Sequence, residues 1–185
     1  VIVAIPSYLI HWLRTARDLR RAGTIQPITT IHTVFCVGEP ITDAYRAILK
    51  GLLAEIGSSD VQILNGMSST ELRSAGFYEC SEGTDLHLDP EHFYFEILHP
   101  DTHEPVGEGE PGVFVWSHVD WRGTVILRYW SGDYAAGGMR WGKCPGCGLS
   151  IPRLIGPLAR AAKDFTKIRG ERVELRPAAR PRAAH

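Results

Sequence analysis

The chain lacks most of the features that assign a protein to a specialised setting. It has four cysteines in 185 residues. That is too few for the disulfide lattice of a small secreted domain, so a reducing cytoplasm is the expected compartment. It has no excess of either charge, with 20 Lys and Arg against 21 Asp and Glu. This argues against the basic field of a nucleic-acid binder and the acidic block of a solvating tail. No apolar run approaches the roughly 18 residues that span a bilayer, so no membrane partner is expected. The opening "VIVAIP" has no basic lead and is too short for the core of a secretion signal. It starts on Val inside an apolar run, which reads as a fragment or a chain whose start has been removed. No internal repeat is visible.

What is present is ordinary globular material, 44% apolar and 22% charged. The length suits one domain or two small ones. Val1–Ile5 is a β-branched run closed by Pro6 and reads as a buried strand. Ser7 then stands at an N-cap position, Leu9, Ile10, Leu13, Ala16 and Leu19 follow at helical spacing, and Gly23 is a stop. "IHTVFCV" is a second strand. "TDAYRAILKGLLAEIG" is a second helix with Ala44, Ile48, Leu49, Leu52 and Ile56 facing inward, and "VQILNG" is a third strand. After residue 76 the texture becomes short, aromatic and β-branched, separated by Asp, Gly and Pro turns.

The predicted fold is an α/β open parallel β-α-β-α-β sheet with helices on both faces, followed by an antiparallel β-barrel-like half stapled by zinc. Residues 1–76 form the first half and 77–170 the second. A final helical piece is expected near Leu154–Phe165, and 171–185 is a flexible, Ala/Pro/Arg-rich tail.

"WGKCPGCGLS" carries a metal-clip knuckle. A structural zinc site takes four Cys or His ligands in a tetrahedron, so Cys144 and Cys147 need two partners. Cys80 and His87, a Cys-x6-His pair upstream, complete a Cys3His set, with His92, His99 and His103 as competitors for the histidine. Such a closed site is structural, since it leaves no position for substrate. A redox pair is the alternative for Cys144 and Cys147. Cys36 falls in a core strand, where a free thiol behaves as a small hydrophobe.

Further segments follow in an informative order: "VGEP" after the second strand, "NGMSSTEL" after the third, then "RYWSGD" and "KDFTKIRG". The first two lie beyond the carboxyl ends of strands, where open α/β sheets bind ligands. Together these segments resemble the adenylate-forming (AMP-binding) superfamily, in the branch of phenylacetate-CoA and related aryl-CoA ligases. "PSYLIHWL" is similar to a segment beside the acyl pocket of that branch, and the cysteine and histidine spacings to a zinc site found there. The resemblance spans about residues 5–172.

The resemblance implies ATP-dependent activation of a carboxylic acid through an acyl-adenylate, then transfer to CoA, with an aromatic acid favoured. Transfer to an amine or a carrier protein is a variant, and a zinc-stapled binding or scaffold module derived from the fold is the non-enzymatic alternative. It further implies that Gly38, Glu39 and Pro40 lie against adenine, and that Asn65, Gly66, Met67 and Ser69 form the loop at the nucleotide. Thr70 would bind phosphate, and Glu71 would hold Mg²⁺. A register shifted by two residues would put Ser69 at the metal position instead. Asp133 would take the ribose hydroxyls. Counting back from Gly170 puts the family's arginine on Ala161, with Arg160 one residue away as the ribose candidate. Asp164 would be a hinge pivot. Tyr8, Met67 and Phe77 are candidates for an aryl pocket. The resemblance starts after the family's phosphate loop and stops before the lid with its lysine. A central fragment is therefore expected, weak in nucleotide binding alone or complemented by another chain or in a homodimer.

Overall fold

The computed structural model describes residues 1–73, 76–82, 85–119, 121–156 and 158–160, together with the backbone of 165–168 and 171–174. The first half runs β1 (Ile2–Ala4), α1 (Pro6–Arg21), β2 (Thr33–Val37), α2 (Asp43–Ile56) and β3 (Gln62–Ser68). The three strands are parallel and adjacent in chain order. Parallel neighbours need a crossover, and here each crossover is a helix. Both crossovers step in the same direction across the sheet. Right-handed connections then place α1 and α2 on one face, not on opposite faces as expected. Their shared core is aliphatic: Leu9, Leu13 and Ala16 from α1 meet Leu49, Leu52, Leu53 and Ile56 from α2 over Val34, Cys36 and Ile63. The carboxyl ends of the helices lie side by side. Arg20 donates to the Glu55 carbonyl, and Arg21 pairs with the Glu55 carboxylate at 2.7 Å.

Local details depart from the periodicity. The first helix begins at Pro6, whose missing N–H costs nothing at the first helical position. Ser7 is therefore inside the helix, not its cap. In α2 the buried face is turned from the expected one, with Leu53 buried and Ile48 exposed. Thr42 is the N-cap and accepts the Tyr45 N–H at 3.2 Å. The first strand is an edge, not a buried strand: Val1 and Val3 are 80% and 61% exposed.

The second half contains β4 (Gly76–Glu79), β5 (Leu86–His87), β6 (Phe93–Leu98), β7 (Gly112–His118), β8 (Tyr129–Ala135), β9 (Met139–Arg140), β10 (Arg153–Leu154) and β11 (Leu158–Arg160). It is antiparallel, but among the described residues no barrel closes. β4 continues the first sheet across residue 76, giving a seven-stranded order β1-β2-β3-β4-β5-β10-β9. A separate four-stranded sheet has the order β11-β8-β7-β6. An aromatic core joins the two sheets. Phe77 sits edge-on to Phe93, Phe95 and Phe114, and Phe114 packs against Trp116.

The described residues of the stretch Leu154–Phe165, where a helix is expected, form no helix. Arg153–Leu154 pairs with β5 and β9, and Leu158–Arg160 pairs with β8. Long-range ladders outcompete a weak local periodicity that Gly156 and Pro157 already interrupt. Phe165–Ile168 (β12) and Glu171–Glu174 (β13) pair antiparallel, so strand reaches into the segment expected as tail. Lys163, Asp164, Arg169 and Gly170 of the hinge motif, and the tail beyond Glu174, lie outside the described residues. No helix among the described residues is long and apolar enough to cross a membrane.

Candidate functional site

Two constellations stand out. The first is a cavity of about 440 Å³ at the carboxyl ends of β2 and β3, closed on its far side by β8 and β11. Gly38, Glu39, Pro40, Asn65, Gly66, Met67, Ser69, Glu71, Asp133 and Arg160 all line it. Thr70 does not. It is exposed on the single 3₁₀ turn Thr70–Leu72 between lining residues Ser69 and Glu71. Of the aryl-pocket candidates only Met67 lines the cavity. Phe77 is fully buried in the aromatic core, and Tyr8 is 72% exposed on α1.

Each lining segment is held by specific bonds. The Glu39 carboxylate faces α1, accepting the Ser7 N–H at 3.0 Å and the Ser7 hydroxyl at 2.8 Å. A negative charge suits the start of a helix, where backbone N–H groups are unpaired. Glu39 thus fastens the Gly38–Pro40 turn to α1. The Asn65 N–H donates to Glu79 Oε2 at 2.7 Å, and Glu79 pairs with Arg46 at 3.1 Å. Arg46 also donates to the Ile63 carbonyl. The Glu79 side chain is 7% exposed, so this carboxylate is a buried linchpin between α2, β3 and β4. Gly66 answers to packing. A Cβ there would lie 2.4 Å from the Tyr78 ring, which crosses it from β4.

"SGD" in β8 is an irregularity, not a regular strand. Val113 and Val115 of β7 pair with Tyr134 and Trp130, so β8 carries extra residues between them. Gly132 sits there at φ 71°, a conformation that favours glycine. The Ser131 hydroxyl donates to the Phe114 carbonyl at 2.6 Å and accepts the Asp133 N–H at 2.9 Å. The bulge aims Asp133 into the cavity, where it pairs across the ladder with Arg160 at 3.1 Å. The Glu71 carboxyl is held below its ordinary range, first by its own backbone N–H, then by the Tyr129 hydroxyl, with the positive charge of Arg160 assisting. Glu71 therefore stays ionised well into acid. The buried atoms Asn65 Oδ1 and Trp116 Nε1 have no hydrogen-bond partner, and both residues line this one cavity. Unpaired buried polar atoms are rare and costly, so this wall can offer hydrogen bonds to polar groups of a ligand.

The second constellation is Cys80, His87, Cys144 and Cys147, whose ligand atoms all lie within 4.8 Å of one another. Cys80 Sγ is 4.0 Å from Cys144 Sγ, and Cys147 Sγ is 3.3 Å from His87 Nε2. Two sulfurs on a tetrahedral zinc, each about 2.3 Å from the metal, lie about 3.8 Å apart. The donor set and its spacing therefore fit a structural zinc ion. His87 Nδ1 lies 3.2 Å from the Asp85 carbonyl, a partner that fixes the ring and leaves Nε2 to face the cysteines. The Cys144 thiol is lowered to about 6, first by the Cys147 backbone N–H and then by that of Gly146. The knuckle thus favours the thiolate that a metal needs. The competing histidines are engaged elsewhere. His92 pairs with Asp89, His99 accepts the Asp101 and Thr102 N–H groups, and His103 packs on Trp130. Cys36 is fully buried, and burial pushes its thiol up to about 11.

Sequence reasoning passed over Glu79, Arg46, His118 and Tyr129. Tyr129 and Ser131 stood inside the quoted "RYWSGD". The other three carried no local signal.

With this geometry in hand, comparison with known proteins gives a consistent result. No protein-family model matches the chain. A phenylacetate-coenzyme A ligase of Thermus thermophilus is 30% identical over 176 residues, which is 94% of this chain and 36% of that protein. The phenylacetate-coenzyme A ligase of Aromatoleum evansii is 26% identical over 92% of this chain and 33% of its own. A crystal structure of 2-hydroxyisobutyryl-CoA ligase in complex with 2-HIB-AMP and CoA in the thioesterification state shares the fold at a TM-score of 0.70. It is 21% identical and is matched over 92% of this chain and 34% of that one. The chain is thus similar in sequence to phenylacetate-CoA ligases, spanning about a third of their length, and similar in fold to an acyl-CoA ligase.

Proposed function

We propose that this chain is the nucleotide-holding part of an ATP-dependent acid–CoA ligase acting through an acyl-adenylate on a carboxylic acid of the aromatic class. The carrying observation is convergence. Segments around residues 39, 66, 71, 133 and 160, far apart in sequence, line one cavity that also collects two unpaired buried polar atoms, Asn65 Oδ1 and Trp116 Nε1. In the first step a substrate carboxylate oxygen bonds to the α-phosphorus of ATP, and pyrophosphate leaves with the bonding pair. In the second, the CoA thiolate attacks the acyl carbonyl and AMP leaves.

The residues divide the work by chemistry. The turn Gly38–Pro40 and the strand end Asn65–Met67 offer flat backbone to adenine. Asp133, a carboxylate poised by the β8 bulge, accepts from the ribose hydroxyls, with Arg160 beside it. Ser69 and Thr70 present hydroxyls to phosphate oxygens. Glu71, kept ionised, is the oxygen ligand a Mg²⁺ ion would take, and that ion would neutralise phosphate charge. Cys80, His87, Cys144 and Cys147 hold zinc as a structural clip.

The test is a melting experiment with Mg²⁺ and AMP or ATP. A ligand that binds only the folded chain stabilises it by about 2.7 kcal/mol at a hundredfold excess over its Kd. Asp133→Ala should abolish that stabilisation and leave the metal content unchanged. A melting temperature that stays put at millimolar nucleotide, in metal-replete protein, overturns the nucleotide reading and leaves a zinc-stapled binding module in its place.

A further inference from the structure

The 3₁₀ turn that carries Glu71 has little to hold it in place. It is a single turn, Thr70–Leu72, followed by Arg73 in the left-handed region at φ 49°. Its internal bonds are the Leu72 N–H to the Ser69 carbonyl and the Arg73 N–H to the Thr70 carbonyl, both at 3.1 Å. Such turns are weak on their own. Glu71 nevertheless meets the Tyr129 hydroxyl across the cavity wall. Something outside the turn must fix its main chain.

His118, the last residue of β7, is 5% exposed and lies between the rings of Phe93 at 5.5 Å and Trp121 at 5.2 Å. Its Nδ1 accepts the Ile126 N–H at 3.2 Å, which assigns the ring proton to Nε2. Nε2–H then donates to the Glu71 carbonyl at 2.9 Å. The same neighbourhood grips the far end of the turn. Arg73 lies 5.3 Å over the Trp121 ring and donates to the Thr124 carbonyl at 2.8 Å. Both contacts tie the turn to the β7–β8 connection, the segment that leads directly into Tyr129 and the Asp133 bulge.

We infer that His118 is a positioning residue for Glu71: its Nε2–H fixes the Glu71 main chain and thereby where that carboxylate meets the ligand in the cavity. The inference rests on the nucleotide reading of that cavity, but its mechanical part can be measured without nucleotide. Glutamine at position 118 places an amide nitrogen where Nε2 stands and keeps the donor to Glu71. Asparagine places its polar atoms near Nδ1, keeps a partner for Ile126 and loses the donor.

The experiment follows two readouts in the full chain: amide exchange at residues 71–73, and Mg²⁺-dependent AMP binding by calorimetry. His118→Gln should match the wild type in both. His118→Asn should speed exchange in the turn and weaken AMP binding about tenfold, the factor one hydrogen bond supplies. The inference is overturned if His118→Asn exchanges like the wild type. It is equally overturned if Gln and Asn perturb the turn alike, which would leave only packing. A wild-type chain that binds no AMP refutes the nucleotide reading alone, and amide exchange still decides the role of His118.

Discussion

The two halves of the molecule solve the same problem by opposite means. The first is built from long elements: helices of 16 and 14 residues over parallel strands, with an aliphatic core of Leu, Ile and Val. Its backbone bonds are made within each helix or along neighbouring strands. The second half relies on aromatic packing and on strands as short as two residues at β5, β9 and β10. Two-residue strands supply few ladder bonds. The Cys/His cluster sits where that shortage is greatest. Cys80 and His87 flank the β4–β5 connection, and Cys144 and Cys147 lie between β9 and β10. A metal there would cross-link both ends of the weakest stretch of the seven-stranded sheet. A half with long elements stands on local bonds and burial, while a half made of short ones gains the most from any cross-link.

The largest expected effect comes from breaking that clip. Structural zinc contributes on the order of 10 kcal/mol to domains that fold with it. Chelation should therefore abolish the near-ultraviolet signal of the aromatic core around Trp116 while much of the helical far-ultraviolet signal persists. If both signals fall together, the halves form one cooperative unit and the comparison fails. Metal analysis far below one zinc per chain would remove its basis altogether.

Glu79 lies at the seam, one residue before Cys80, and holds both Asn65 and Arg46. Glu79→Ala leaves a partly buried guanidinium without its carboxylate and an unpaired N–H at the cavity. The expected loss is about 3–5 kcal/mol in urea unfolding. A loss under about 1 kcal/mol, the range of an exposed pair, would mean that the seam is wet and the halves are only loosely joined. The smallest effect belongs to the self-sufficient half. Thr42→Ala removes the cap of α2 and should cost about 1 kcal/mol, with zinc content and the aromatic signal unchanged. Loss of metal in that variant would show that the first half supports the second more than its contacts suggest.

The sequence by itself determined whatever depends on neighbours a few residues apart. Both helices, the strands at β2 and β3, the glycine stops and the Cys-Pro-Gly-Cys knuckle all declare themselves through spacing, because helical period, strand runs and turn chemistry are local properties. It also named most residues that line the cavity. Ligand loops at the ends of parallel strands occupy foreseeable places, and the "RYWSGD" segment was visible as a motif. Tertiary structure decided the rest. Which face each helix takes follows from the direction of both crossovers. Whether Leu154–Arg160 becomes helix or strand depends on β5, β8 and β9 being there to pair with it. The bulge that turns Asp133 inward depends on the register of β7 against β8. The supports behind the site, Glu79 on Asn65 and His118 on Glu71, join residues 14 and 47 positions apart. No periodicity links such pairs. They exist only once burial has removed water and left each N–H and carbonyl a single partner within reach.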